Sequence, residues 1–215
     1  MDQRCEREVD DARARARAIA QAAAAMCADG DTIILCGATA ATMAEFLLSK
    51  RMRILTNSLG AAGRLMADSD NEVFFAGGVL RVNGSPLTAT PDVGFVRGFY
   101  ADRIFVGASG LSSLGLTAGD SEAEAAYHLL GQAREVIVLA ESAQLRAGAG
   151  LYLCGLEQVS CVITDDQLAV GSLQTLLLAG TLVKQVNPRD RSCSTSLTRA
   201  GSASCGRSGG VSTFH

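Results

Sequence analysis

A short loop rich in glycine and threonine holds the residues best suited to bind a small anion. It follows the apolar run at residues 32–36 and contains Gly37, Ala38, Thr39 and, one turn further on, Thr42. This order predicts a strand, a tight turn and a helix N-terminus, whose unpaired N–H groups attract phosphate. The two threonine hydroxyls can add donors. The same residue types also serve simply to cap a helix, and that alternative stays open.

Similar polar or glycine-rich turns follow several other apolar runs. Ligands of open α/β sheets bind at the carboxyl ends of the strands, so we expect these turns to meet at one edge. The further candidate site residues are Asn57, Gly77, Gly78, Ser109, Gly110, Thr117, Glu122 and Glu141. Together with the first loop they predict a crevice of backbone N–H groups and small hydroxyls, suited to a polyol or a sugar phosphate. The alternative is that these glycines only end strands, as they do in any fold.

The sequence offers little for catalysis, for a metal or for a cofactor. An isomerase acting on a sugar phosphate needs a carboxylate base and a group that stabilises an enediolate. The chain has only Lys50 and Lys184 as lysines, and neither falls in the predicted crevice. Its 7 cysteines form no CxxC pair, only 2 histidines accompany them, and no GxGxxG fingerprint follows the first strand. We therefore expect no catalytic residues, no metal and no cofactor.

Apolar runs alternate with helical patterns through most of the chain. Strands are predicted at residues 32–36, 53–56, 72–76, 103–106, 135–140, 161–164 and 182–186. Helices are predicted at residues 39–48, 58–66, 92–100, 120–133 and 170–179, and Asp165 and Asp166 are expected to cap the last of them. Such alternation predicts an α/β, Rossmann-like, mostly parallel sheet with helices on both faces. Residues 80–90 fit either a hairpin or a covering loop.

Three segments differ in character. Residues 1–28 predict an amphipathic helix, residues 29–186 form the α/β domain, and residues 187–215 are rich in Ser, Gly and Arg without a hydrophobic period. Because such a segment buries little apolar surface, we expect it to be disordered.

The net charge and the hydropathy of the sequence limit the partners and the cellular location that we expect for the protein. The formal net charge is -3, and since residues 187–215 carry a local +3, residues 1–186 sum to -6. An acidic domain is a poor electrostatic match for nucleic acid. No apolar run approaches the roughly 20 residues that span a bilayer, and no signal peptide is recognisable. We therefore expect a cytoplasmic protein.

The order of these motifs over about residues 5–186 resembles a known family. The ordered set comprises Asp29-Gly30-Asp31, Gly37-Ala38-Thr39, Thr56-Asn57-Ser58, Gly77-Gly78, Gly107-Ala108-Ser109-Gly110, Gly115-Leu116-Thr117 and Thr164-Asp165-Asp166. It is similar to the C-terminal sensor domain of DeoR-family bacterial transcriptional repressors. The resemblance implies a fold like that of ribose phosphate isomerases and CoA transferases, an effector that is a phosphorylated sugar or sugar derivative, and a homo-oligomer. The winged helix-turn-helix of such repressors has no counterpart in this sequence, so DNA binding is expected only through a module outside it.

Three positions depart from the family pattern. Ser109 stands where the family usually has Asp, and Gln144 and Ala126 align with two family lysines. Each charge-assisted hydrogen bond to a phosphate contributes about 1.5–3 kcal/mol, so an anionic effector loses affinity here unless another base, such as Arg81, compensates. The main prediction is a sugar-phosphate sensor domain. The alternatives are an isomerase-like enzyme acting on a phosphorylated sugar and a degenerate oligomerisation scaffold.

Overall fold

The computed structural model describes residues 3–77, 79–80, 89–90, 93–146, 150–188 and 195–198. The strands are β1 (Thr32–Cys36), β2 (Arg53–Thr56), β3 (Glu72–Phe75), β4 (Val79–Leu80), β5 (Ala89–Thr90), β6 (Ala101–Gly107), β7 (Gly110–Ser112), β8 (Gly115–Ala118), β9 (Ala133–Leu139), β10 (Leu151–Cys154), β11 (Cys161–Asp165), β12 (Leu182–Val186) and β13 (Thr195–Thr198). The α-helices are α1 (Gln3–Ala24), α2 (Gly37–Ala41), α3 (Leu59–Asp68), α4 (Val93–Val96), α5 (Asp120–Leu129) and α6 (Val170–Leu178).

Eight strands form the central sheet, in the order β13-β12-β11-β9-β6-β1-β2-β3. All neighbours run parallel except β12 and β13, which pair antiparallel. The chain adds β2 and β3 on one side of β1, whereas β6 and the strands after it lie on the other side. The order therefore reverses between β1 and β6, and such a switch point opens a crevice at the carboxyl ends of the two strands. The predicted α/β class is confirmed.

Both faces of the sheet are buried, which explains why its strands read as continuous aliphatic runs. Along β1, Ile33 and Leu35 belong to one core, which includes residues of α1, α2 and α3. Ile34 and Cys36 point to the other core, which includes residues of α5 and α6. Consecutive residues of a strand point to opposite faces, so a single run of apolar residues serves both cores.

The first helix is only partly a helix of the domain core. In its C-terminal half, Ile19, Ala20 and Ala23 are fully buried against the sheet, whereas Val9 is 61% exposed. Small alanine side chains let the helix approach the sheet closely. In the described part of the chain, no helix is long and apolar enough to cross a membrane.

The structure differs from the predicted elements where short segments are concerned. The predicted helix at residues 39–48 becomes α2 followed by a 3-10 turn, Thr42–Phe46, and that at residues 92–100 shortens to α4, since Gly98 weakens a helix there. A small antiparallel sheet, β10-β8-β7, was not predicted. Its strands have only 3 or 4 residues, too few for a period-two pattern to stand out. The segment predicted as a hairpin or a covering loop lies largely outside the described residues, since residues 81–88 are not described; β4 and β5 on either side of it pair antiparallel.

The last described strand lies in the segment predicted to be disordered. Residues Thr195–Thr198 pair antiparallel with β12, with Leu197 opposite Lys184. The polar composition of residues 187–215 does not anticipate this strand, because an edge strand gains its main-chain hydrogen bonds whatever its side chains are. Residues 199–215 lie outside the described part of the chain.

Candidate effector site

The crevice at the switch point begins with a turn at the end of β1. Gly37 has a φ of +86°, a left-handed conformation that glycine adopts without strain. Its N–H donates to Oδ1 of Asn57 at 3.1 Å, and both residues are buried. Asn57 follows β2, the neighbouring strand, so this hydrogen bond joins the carboxyl ends of β1 and β2.

Glu122 enters the crevice from the other side of the sheet. It lies in the first turn of α5, and its Oε1 accepts the N–H of Ala38 at 3.2 Å. A Cβ on Gly37 would lie 2.9 Å from the same oxygen. A Cβ on Gly107, the last residue of β6, would lie 3.5 Å from Oε1 of Glu122 and 3.6 Å from Oγ1 of Thr39. A Cβ on Gly37 would therefore crowd the carboxylate of Glu122, whereas a Cβ on Gly107 would be in ordinary van der Waals contact with it.

Five of the predicted site residues thus come together: Gly37, Ala38, Thr39, Asn57 and Glu122. Thr42 directly follows α2, and its hydroxyl donates to the carbonyl oxygen of Ala38, one turn earlier, at 3.5 Å. The sequence also did not single out Gly107 as a site residue. Its role follows only from the proximity of Glu122, 15 positions further along the chain, which no local pattern encodes.

A second group of predicted residues lies in the small sheet. The N–H of Ser109 donates to the carbonyl oxygen of Thr117 at 2.8 Å, and Gly110 is paired with Thr117 across β7 and β8. These contacts shape the hairpin that follows β6. Gly77, after β3, has a φ of +67° and open space where a Cβ would be. Gly78 lies outside the described residues.

Glu141, after β9, is held by the first helix. Its Oε2 accepts Nε of Arg15 at 2.9 Å, and the two side chains are only 17% and 22% exposed. The hydrogen bond to Glu141 raises the pKa of Arg15 above its ordinary value, although burial opposes this, and the charges of Glu141, Asp165 and Asp11 add to it. No local sequence pattern indicates this pair, because 126 positions separate its members.

The two positions aligned with family lysines have other tasks. The side chain of Gln144 accepts the N–H of Glu141 through Oε1 at 2.8 Å, so it orders the loop after β9. Ala126 is fully buried in the core beneath α5. Neither residue brings a positive charge to the crevice.

Asp165 differs from its sequence-based interpretation as a helix cap. The residue before α6 is Ala169, which makes no side-chain cap. Instead, the fully buried carboxylate of Asp165 accepts the N–H of Ser142 at 2.8 Å and that of Gln167 at 3.0 Å. It therefore joins the loops that follow β9 and β11. Beside it, a cavity of 280 Å³ is lined by Asp11, Ala14, Arg15, Asp166, Gln167, Asn187 and Pro188.

Four cysteines, Cys27, Cys36, Cys154 and Cys161, are buried core residues. Burial raises the pKa of Cys36 to about 12, and the charge of Glu122 adds to that shift. Burial likewise raises the pKa of Cys27, Cys154 and Cys161 to about 11. Thiols that stay protonated at neutral pH are poor nucleophiles. Among the described residues, no group of three or more His, Cys, Asp or Glu side chains could hold a metal ion.

The fold is an α/β domain whose strand order reverses between β1 and β6, where Gly37, Asn57 and Glu122 meet. The chain belongs to the DeoR C terminal sensor domain family, which it matches over residues 12–166. This confirms the predicted resemblance, and it supports a regulator's sensor domain rather than an enzyme.

Three transcriptional regulators are among its curated relatives. It is 31% identical to the HTH-type transcriptional repressor CsqR of Escherichia coli over 70% of this chain and 59% of that protein. It is 28% identical to the regulator UlaR of Shigella dysenteriae over 78% of this chain and 67% of that protein. It is 26% identical to the repressor GlcR of Bacillus subtilis over 68% of this chain and 58% of that protein. The chain thus spans about three fifths to two thirds of their lengths.

A solved structure has the same fold. The beta subunit of eIF2B from Chaetomium thermophilum superposes with a TM-score of 0.51 over 73% of this chain and 50% of that one, at 14% sequence identity. At this identity the likeness concerns the fold alone.

Proposed function

We propose that this chain is the effector-sensing part of a bacterial transcriptional regulator and that its effector is a phosphorylated sugar or sugar derivative. The observation that carries this proposal is the convergence of Gly37, Ala38, Asn57 and Glu122 at the switch point of a chain that belongs to the sensor family. Switch-point crevices are where sheets of this kind bind ligands. The setting is the cytoplasm, where regulators and sugar phosphates meet.

The ligand acts by shifting a conformational equilibrium. The effector occupies the crevice between the turns after β1, β2 and β6, and the second group around Ser109, Gly110 and Thr117 closes it from the side of the hairpin. A ligand that binds one arrangement of these loops better than another shifts the population toward it. In a homo-oligomer this changes how the protomers are arranged, and hence how an attached DNA-binding module meets its operator.

Helix α1 is the element that links the crevice edge to the N-terminal part of the chain. Arg15 contacts Glu141 at the carboxyl edge of the sheet, while Arg17, half a turn away, pairs with Glu45 in the 3-10 turn after α2. Movement of either loop therefore acts on the same helix. Through α1, the binding of a ligand in the crevice of the proposed sensor can affect the part of the chain outside the domain core.

The experiment that tests the proposal is a thermal-shift screen of the purified chain against sugar phosphates and the corresponding free sugars. A matched pair of variants locates the response. Gly37→Ala and Gly30→Ala both place an alanine at a φ near +90°, but only the Cβ at position 37 meets Glu122. Each costs about 1–2 kcal/mol of stability through the left-handed conformation.

We expect the Gly30→Ala variant to keep the ligand-induced shift and the Gly37→Ala variant to lose it. Retention of the full shift in both variants would place the effector elsewhere. Turnover of the sugar phosphate, followed by chromatography of the products, would contradict a sensor role.

A further inference from the structure

We propose that Glu122 is a built-in anion that makes the innermost part of the crevice selective for ligand hydroxyl groups and holds phosphate away from the amides of Gly37 and Ala38. This inference rests on the proposed function, because it states which part of the effector faces the switch point. The sugar hydroxyls point inward to Glu122, and the phosphate lies toward the mouth.

The N–H groups expected to bind phosphate already donate to side chains of this chain. The N–H of Ala38 donates to Oε1 of Glu122, and that of Gly37 donates to Oδ1 of Asn57. A phosphate at this turn would have to displace both side chains and then lie beside the carboxylate of Glu122. Two like charges at such a distance repel each other strongly in a partly buried site.

The carboxylate of Glu122 forms no ion pair with a described basic side chain. Within the described part of the chain, the ion pairs occupy Glu45, Glu72, Glu135 and Glu141, but none involves Glu122. Among the described residues, the carboxylate of Glu122 is therefore bound by a peptide N–H and not by a basic side chain.

The Glu122 carboxylate also determines which kind of hydrogen bond a ligand can form with it. An ionised carboxylate only accepts hydrogen bonds. Of its two oxygens, Oε1 accepts the N–H of Ala38, whereas Oε2 lies close to Gly107, since a Cβ there would be 3.7 Å away. A ligand at Oε2 must donate, as a sugar hydroxyl does and a phosphate dianion does not.

The test uses inorganic phosphate as the probe, so that it does not depend on the identity of the effector. Amide signals of Gly37 and Ala38 are followed by two-dimensional ¹⁵N NMR while phosphate is added to the wild-type chain, to Glu122→Gln and to Glu124→Gln. Glu124 lies two positions along the same helix and is exposed, so its substitution removes the same charge outside the crevice. Glu122→Ala is a second way of removing the carboxylate should the glutamine variant be poorly folded.

We expect the Gly37 and Ala38 signals of Glu122→Gln to respond to phosphate at concentrations about 10- to 100-fold lower than in the wild type, the range that one charge-assisted hydrogen bond supplies. Glu124→Gln should behave like the wild type. Equal responses in all three proteins, or no response of Glu122→Gln and Glu122→Ala, would overturn the inference.

A second titration with ribose separates this result from the proposed function. If the inference and the function both hold, ribose shifts the same amides in the wild type, and Glu122→Gln weakens that response. If sugars and sugar phosphates shift nothing in any variant, the proposed function fails, while the phosphate titration still decides the role of Glu122.

Discussion

The two edges of the central sheet use acidic side chains in different ways. At the amino edge, Arg103 on β6 donates from Nη1 to Asp31 and from Nε to Glu135, both at 2.9 Å. The hydrogen bond to Glu135 and the charge of Asp31 leave the pKa of Arg103 above its ordinary value, although burial, the largest single influence, opposes this. One guanidinium thus ties the starts of β1, β6 and β9 together.

At the carboxyl edge, two acidic side chains hold loops through peptide N–H groups, while Glu141 pairs with Arg15. Glu122 accepts from Ala38, and Asp165 accepts from Ser142 and Gln167. These hydrogen bonds shape loops rather than joining strands. The difference is that the amino edge is joined strand to strand through a guanidinium, whereas Glu122 and Asp165 at the carboxyl edge join loops through peptide N–H groups.

The largest effect should come from the most buried contact of the carboxyl edge. Asp165→Ala leaves the buried N–H of Ser142 without its acceptor and removes a second charge-assisted hydrogen bond, which should cost about 3 kcal/mol of the free energy of unfolding. Urea denaturation measures the loss. The exposed neighbour gives the control, since Asp166→Ala should change the stability by less than about 0.5 kcal/mol. Similar losses in both variants would mean that the buried carboxylate has no special role in joining the two loops.

At the amino edge, Arg103→Met should cost about 1–2 kcal/mol, because it leaves Asp31 and Glu135 without their partner in a partly buried place, where solvent screens part of the loss. The matched control is Arg53→Met, whose ion pair with Glu72 is more than half exposed and should contribute less than about 0.5 kcal/mol. The ligand-induced thermal shift should survive in both variants. Loss of that shift in Arg103→Met would contradict the division of roles between the two edges.

The sequence predicts the strands and turns of this molecule better than its long-range side-chain contacts. The runs at β1, β9 and β11 are recognisable because strands buried on both faces need unbroken aliphatic residues. Gly37 and Asn57 are recognisable because turns after strands favour them. Such features are local, so the order of residues is enough to find them.

The contacts that define the site could not be predicted in this way. Ala38 and Glu122 are 84 positions apart, and only the crossing from β1 to α5 on the far face brings them together. The small sheet escaped prediction because its strands are short and because β10 pairs with β8 across an intervening helix and strand. The helical pattern of residues 1–28 likewise does not distinguish Arg15, which forms an ion pair, from Arg13, which is exposed.

The pKa values of two buried cysteines depend on both burial and the charges at the two edges of the sheet. Cys27 lies near Lys50 and Arg103, which lower its pKa, whereas Cys36 lies near Glu122, which raises it; yet burial is the largest influence on both. A folded-state pKa above the unfolded value of 9.0 gives stability that is complete below pH 9 and is lost as the pH rises toward 11 or 12. The free energy of unfolding should therefore fall between pH 9 and 10.5, by about 1.4 kcal/mol per pH unit for each buried thiol. Cys27→Ala and Cys36→Ala should each reduce this slope by about one proton, and an unchanged slope in either would contradict burial as the common cause.

The smallest expected effect concerns the ion pair that joins helix α1 to the carboxyl edge. Arg15→Gln and Glu141→Gln should each cost about 1 kcal/mol, and a double-mutant cycle should give a coupling of about 0.5–1 kcal/mol, because the pair is better shielded than a surface ion pair. Hydrogen exchange supplies the second readout: amides of the exposed half of α1 should exchange faster in Arg15→Gln but not in Arg13→Gln, which changes an exposed charge two positions away. Here the carboxyl edge does use a guanidinium, as the amino edge does, but to fasten a helix rather than to join strands. A coupling near zero, with unchanged exchange, would leave α1 without a connection to the loop after β9, and the path from crevice to helix would then have to run through Arg17 and Glu45 alone.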